Sequence, residues 1–377
     1  MLSIRPLNYA HSILLLLSMA GEIPTTTLPM LGNVRAVKAI LRKMETPQRI
    51  LLNGEVFSER LRLIQVSGKG NLKTIRLTRK ALPILPCIHP DALEFYLGTF
   101  YNHKFPGTRS HIWRHHRVAE ALAMFMAADI EIRQYVLPKL QRTNIKQVVS
   151  VVPSFYTSRS IKALDALDLN KTIFTRVVGA LFTEDSVYAV YNTRDAVMRW
   201  SGLGEFKTLH HLTEIARMNA GVTDIDSAIL FGRDPDIALA TLLDSDKTRR
   251  KEMRFDSIYH HIHYIPMTDS GKTIIKLLTR LDWREALLSA VFPEEMRIRG
   301  HTFMELDAIS DGTHILCHLD SDLARLIRFR EAAATRPDLR FEVIAFPWQA
   351  DFLRAYLEPE ISIKILDESA LANAIEI

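Results

Sequence analysis

Several stretches of the 377-residue sequence carry side chains whose types and spacing could do chemistry. Pro266-Met267-Thr268-Asp269-Ser270-Gly271-Lys272-Thr273 matches the phosphate loop G-x-x-x-x-G-K-[ST] at all but its first position. Such a loop aims backbone N–H groups at phosphates. Pro266 has no N–H and a fixed φ, so part of that cradle is lost. Asp320, after the apolar run His314–Leu319, would be the acid that organises Mg²⁺. The plainer alternative is a Ser-Gly turn whose Lys272 begins a helix. Glu205-Phe206-Lys207 follows Asp185; two carboxylates holding Mg²⁺ beside a lysine would activate water for phosphodiester cleavage. That chemistry wants E-x-K on a strand. Residues 200–212 read instead as a loop entering a helix, where Glu205 and Lys207 would serve as ion-pairing groups.

The histidines offer metal chemistry. His261 and His263 alternate along an expected strand and so share a face, with His260 beside them. His111 and His115 stand one helical turn apart. Neither set brings a third ligand, and half-buried histidine is the default reading. Asp320 and Asp322 end a strand where clefts form in parallel sheets, but Ser321 or Asp322 reads better as the cap of the next helix. No G-x-S-x-G, H-E-x-x-H or paired C-x-x-C is present. The only cysteines, Cys87 and Cys317, are far apart, which excludes a disulfide framework and fits a reducing compartment. No catalytic signature is complete and none calls for a cofactor.

Positioning these residues takes an α/β body. From about residue 146 strands and helices alternate: a hairpin Val177–Thr183 with Ser186–Asn192, strands at Ser227–Gly232, Ser257–Ile265, His314–Leu319, Phe341–Phe346 and Ile361–Leu366, and helices between them. A largely parallel, right-handed sheet is the natural solution.

The charge lies elsewhere. Residues 1–80 hold 13 Lys/Arg against 4 Asp/Glu, a net of +9, while the rest of the chain holds 35 against 39, a net of −4. A small basic module on a mildly acidic body is the footprint of a nucleic-acid reader. In that module the run Ile13–Leu17 is too short and too interrupted upstream for an export signal. It reads as a first helix stopped by Gly21. A short irregular helix follows over Pro24–Leu31. Asn33 caps a third helix to about Met44. On it Val34, Val37, Leu41 and Met44 form an apolar stripe, and Arg35, Lys38 and Arg42, with Lys43 at the edge, a basic face. Strands Arg60–Val66 and Leu72–Thr78, joined by Ser67-Gly68-Lys69-Gly70-Asn71, form a hairpin carrying Lys69, Lys73 and Arg76. Three helices and a basic hairpin make a winged helix-turn-helix, its third helix suited to a major groove.

"ILLLLSMAGEIPTTTLPMLGNVRAVKAILRKM" with "KTIRLTRKA", and further on "PSFYTSRSIKAL" and "VYAVYNTRDAVMRW", resemble the winged-helix proteins of the bacterial plasmid replication-relaxation type and related proteins of conjugative elements. The resemblance implies a double-stranded DNA-binding protein of a mobile genetic element, acting in plasmid replication, conjugative transfer or transcriptional control. It also lends some weight to a nuclease-like body.

The expected organisation is a mixed α/β chain. A winged-helix domain occupies 1–98, a linker and connecting helix 99–145, and an α/β domain 146–377. The expected nucleic-acid-binding residues are Arg35, Lys38, Arg42, Lys43, Lys69, Lys73 and Arg76. The alternatives are a Mg²⁺-dependent nuclease or nucleotide hydrolase in the C-terminal domain, and an adaptor whose body only binds protein. A homodimer and a replication or transfer protein are open as partners. No apolar run nears the roughly 18 residues of a membrane span, and the expected location is the cytoplasm.

Overall fold

The computed structural model describes residues 1–100, 103, 105, 108–132, 151–164, 176–198, 202–222, 225–247, 255–298 and 304–376. The protein is mixed α/β with four sheets, of three, six, four and three strands. It divides into two compact units, Met1–Arg142 and Thr143–Ile377. Among the described residues no helix is long and apolar enough to cross a membrane.

In the first unit β1 (Leu2–Ile4) leads to α1 (Tyr9–Ala20). Asn8 caps α1, its side chain accepting from the His11 N–H at 2.9 Å. Ile13, Leu14, Leu16 and Leu17 are fully buried, so the leucine run is core. Gly21 ends the helix at φ +72°, and a Cβ there would sit 2.5 Å from the Phe100 ring. Gly21→Ala therefore combines an unfavourable φ with a clash, an expected loss of about 2–4 kcal/mol in chemical unfolding. Gly54→Ala, at φ +98° with open space around it, is the control and costs about 1 kcal/mol. Equal losses at the two positions would contradict the packing of Phe100 on Gly21.

β2 (Glu22–Pro24) follows, then a 3-10 turn over Thr25–Leu31 in place of the short helix expected there. Pro29, which lacks an N–H, lies inside it. α2 (Val34–Glu45) matches its expected span. β3 (Gln48–Leu52) and β4 (Glu55–Leu61) form a hairpin about Asn53-Gly54, both at positive φ. β1 lies parallel to β3, giving the sheet β1-β3-β4. β5 (Ile64–Ser67) and β6 (Thr74–Leu77) form the next hairpin, and β2 pairs with β6, giving β2-β6-β5, antiparallel throughout. The strand expected over Arg60–Val66 is thus two strands: Leu61 ends β4 and Ile64 begins β5. The unit continues through α3 (Leu85–Ile88), α4 (Ala92–Thr99), α5 (Arg109–Ala127) and β7 (Glu131–Ile132). α5 packs on α1, β2 and the 3-10 turn, and Thr26 Oγ1 donates to Glu120 Oε1 at 2.6 Å. The helix expected in the connection is part of this unit's core. Much of the expected linker at 101–108, and the expected start of the second domain at 146, lie outside the described residues.

The second unit begins with β8 (Ser154–Thr157), α6 (Ser158–Leu164), β9 (Val177–Phe182) and β10 (Val187–Arg194), and β8, β9 and β10 form an antiparallel meander. α7 (Leu203–Asn219), β11 (Ser227–Gly232), α8 (Pro235–Lys247) and β12 (His261–Pro266) follow, with β10, β11 and β12 mutually parallel. Beyond α9 (Asp269–Leu278) and α10 (Trp283–Val291) comes a second sheet. β13 (Ala308–Ser310) is its antiparallel edge, and β14 (Thr313–Cys317), α11 (Leu323–Ala334), β15 (Arg340–Ala345), α12 (Ala350–Tyr356) and β16 (Ser362–Ile365) form the expected βαβαβ run. α13 (Glu368–Ala374) packs on α9 and α10. The parallel strands are therefore shared between two sheets.

Candidate nucleic-acid interface

α2 is built locally. The Asn33 side chain accepts from the Arg35 and Ala36 N–H groups, each at 3.1 Å, supplying the donors at the helix start with a partner. Val37, Leu41 and Met44 are buried, which fixes the rotation of the helix. Arg35, Lys38, Ala39, Arg42 and Lys43 are left exposed. Arg42 and Lys43 lie in the last turn, where positive charge favours the helix dipole.

The β5–β6 hairpin presents the second basic group. Gly68, at φ +85°, has no room for a Cβ, which would lie 2.4 Å from the Leu72 carbonyl oxygen. This close turn projects Lys69 and Lys73, both exposed. Arg76 is placed differently. It sits opposite Glu22 on the neighbouring strand, and its Nε donates to Glu22 Oε2 at 2.7 Å. The Arg76 guanidinium also lies 4.5 Å from the Phe105 ring centroid. Glu22 is fully buried. Burial raises its carboxyl above the usual range, and the Arg76 charge and hydrogen bond offset only part of that rise. Arg76 is thus the anchor of the hairpin, and the other six expected cations are those available at the surface.

In the second unit the residues weighed for chemistry divide. Asp185 lies in the turn before β10 and accepts from Thr183 Oγ1 at 3.0 Å. Glu205 is buried near the start of α7 and pairs with Arg176, just before β9, at 2.8 Å. Since Val177 pairs with Tyr191 and Phe182 with Val187, Asp185 and Glu205 lie at opposite ends of the β9–β10 hairpin. Six residues of strand separate those ends, about 20 Å. E-x-K lies on a helix, with Lys207 exposed. The two-carboxylate magnesium site, the alternative for these residues, is not assembled; E-x-K lies at a helix start, where Glu205 is an ion-pairing group as expected. The phosphate-loop reading meets the same end. α9 begins at Asp269, so Gly271 and Lys272 are helical, and Lys272 pairs with Asp269 at 2.7 Å.

His261, His263, Asp320 and Asp322 do come together. Asp322 caps α11 as expected, its Oδ1 accepting from Ala324 N at 3.0 Å and Arg325 N at 3.2 Å. The same oxygen accepts from the Ile262 N–H of β12 at 3.0 Å, and Oδ2 meets His261 Nδ1 at 2.6 Å. Burial opposes the Asp322 charge, but the His261 hydrogen bond and the charges of His263, His261 and Arg325 hold its carboxyl far below the usual range. His261 is half-buried, yet its bond and charge pairing with Asp322 raise it above its ordinary value. His263 Nδ1 bonds the Asp320 carbonyl at 2.9 Å. Arg325, itself buried, donates to Asp307 at 2.8 Å and Glu305 at 3.2 Å, with Asp320 at 3.6 Å. The His260 ring is 4.7 Å from that of His261, and His111 and His115 lie on α5 of the other unit. Among the described residues no group of His, Cys, Asp and Glu is arranged to hold a metal.

This cluster is internal and structural in character. An acid sensitivity is expected from neighbouring His318, fully buried and pushed down to about 4, chiefly by burial. The unfolded chain would take up a proton near 6.5. Stability due to neutral His318 is therefore present above about 6.5 and lost as pH falls toward 4. His261 acts in the opposite sense: its contribution is full below about 6.5 and lost as pH rises through its raised folded value. Urea midpoints measured from pH 7 to pH 4 are expected to fall, and less steeply in His318→Phe. An unchanged slope in that variant would refute the assignment.

Comparison with protein-family models, curated proteins and solved structures finds no match.

Proposed function

We propose that the chain is a double-stranded DNA-binding protein whose first unit holds a winged helix. Its core would be α1, β2, the 3-10 turn, α2, β5 and β6, with α2 as the reading helix and the β5–β6 hairpin as the wing. The support is topological: the elements run α1, β2, the 3-10 turn, α2, β5 and β6, and β2 closes the antiparallel sheet β2-β6-β5 against β6. The β3–β4 hairpin is an insertion between reading helix and wing.

The observation that carries the function is the exposed face of α2, where Arg35, Lys38, Arg42 and Lys43 are all exposed. Lys69 and Lys73 extend the basic surface. Cations so placed release counterions from a duplex, and Arg can also read base edges. The family resemblance adds a setting, the replication, transfer or control of a mobile element.

Titration of a fluorescent duplex with the full chain between 50 and 200 mM salt tests the reading. Four to six phosphate contacts give a slope of log K against log salt of roughly −4 to −5. Absent binding, or affinity indifferent to salt, would refute it.

A further inference from the structure

The exposed face of α2 has an internal order. Its five exposed residues are Arg35, Lys38, Ala39, Arg42 and Lys43. At about 100° per residue, Arg42 falls roughly 20° from Arg35 about the helix axis, so the arginines stand one above the other. Lys38 lies about 60° to one side of Arg35 and Lys43 about 80° to the other. Arginines occupy the midline and lysines the two flanks. Ala39 lies between Arg35 and Arg42 along the helix, about 40° from Arg35 on the Lys43 side, and is the only exposed residue of α2 without a charge.

This order matches the division of labour in a major groove. A guanidinium presents a planar fork that meets the O6 and N7 acceptors of guanine in pairs, whereas an ammonium is a point charge suited to phosphate. The midline of a helix seated in the groove faces base edges, and its flanks face the two backbones that wall the groove. A methyl side chain between the arginines lets the helix approach closely and offers an apolar surface to a thymine methyl. Arg35 and Arg42 are seven residues apart, about 10.5 Å along the axis. That equals about three base steps of 3.4 Å.

Resting on the DNA-binding reading above, we propose that α2 reads a site with two guanines about three base steps apart, one by Arg35 and one by Arg42. A thymine between them packs on Ala39, and Lys38 and Lys43 hold the phosphates on opposite sides of the groove.

The test is selection of duplexes from a library randomised over ten base pairs, using the full chain, followed by titration of the enriched duplex. The expected enrichment has two guanine columns about three steps apart. Arg35→Ala and Arg42→Ala should each relax one column, lowering its preference roughly 5- to 150-fold. Lys38→Ala and Lys43→Ala should leave the columns intact, weaken all duplexes alike and make the salt slope shallower by about 0.9 each. Salt-dependent binding without a guanine pair, or with columns unchanged in both arginine variants, would overturn this inference while leaving the DNA-binding reading in place. Failure to bind any duplex would instead remove that reading and this inference with it.

Discussion

Replacing Arg35, Lys38 and Arg42 together by alanine should lower duplex affinity on the order of 10²- to 10³-fold near 0.1 M salt and make the salt slope shallower by roughly one to three. All three side chains are exposed, and the helix they stand on is held from its other face by Val37, Leu41 and Met44. Surface substitutions of this kind change stability by only about 0.5 kcal/mol each, and alanine favours a helix. The variant should therefore keep its melting temperature within a few degrees while losing DNA. Lys69→Ala with Lys73→Ala should give a smaller loss, about tenfold, since two phosphate contacts are removed at most. Arg76→Ala should behave in the reverse way. It strands buried Glu22 without its partner, so destabilisation of about 3 kcal/mol should precede any effect on DNA. A triple variant that binds as tightly as the parent would locate the interface elsewhere.

Asp322→Ala should be the most damaging single change in the second unit, at about 3–5 kcal/mol in urea unfolding. The substitution removes the acceptor for Ile262, Ala324 and Arg325 N–H groups and for His261. The backbone donors are left in a buried site, around a carboxylate that is itself fully buried. Total stability for a domain of this size is about 5–15 kcal/mol, so the loss approaches half of it. Asp322→Asn separates charge from geometry. Its oxygen can still receive the three backbone donors, and its amide can face a His261 nitrogen that has changed tautomer. The expected loss is about 1–2 kcal/mol. Since the folded Asp322 carboxyl is held far below its usual range, its contribution is present above about pH 4 and is lost only in strong acid. Equal losses for the Ala and Asn variants would mean that the hydrogen-bond geometry is not what the carboxylate provides.

Much of this architecture was legible because its signals are local. Asn33 followed by Val37, Leu41 and Met44 states both where α2 begins and which side it buries. The apolar run Ser227–Gly232 matches β11 residue for residue, since a strand buried on both faces reads as unbroken hydrophobicity. Asp322 as a helix cap was readable from its place between a strand and a helical period. What escaped depends on partners far away in sequence. Nothing near Arg76 announces Glu22, 54 residues earlier, so a structural cation reads like its neighbours Lys69 and Lys73. The same holds for Glu205, whose partner Arg176 lies 29 residues away. Asn53-Gly54 was a usable signal for the β3–β4 hairpin. With β4 unrecognised, its end and the start of β5 read as one strand across Leu61–Ile64. Alternation alone does not encode that the parallel strands divide between two sheets.

The buried pairing of Glu22 with Arg76 has a kinetic consequence. The hairpin's base is locked by an ion pair across two strands and by the Phe105 ring, while Lys69 and Lys73 remain free at its tip. If the first unit binds DNA as proposed, such a hairpin would meet a duplex already formed and already aimed, with only two flexible side chains left to order. Encounter then depends on long-range attraction rather than on folding at the surface, so association should be fast at low salt and differences among sequences should appear in how long the complex lasts.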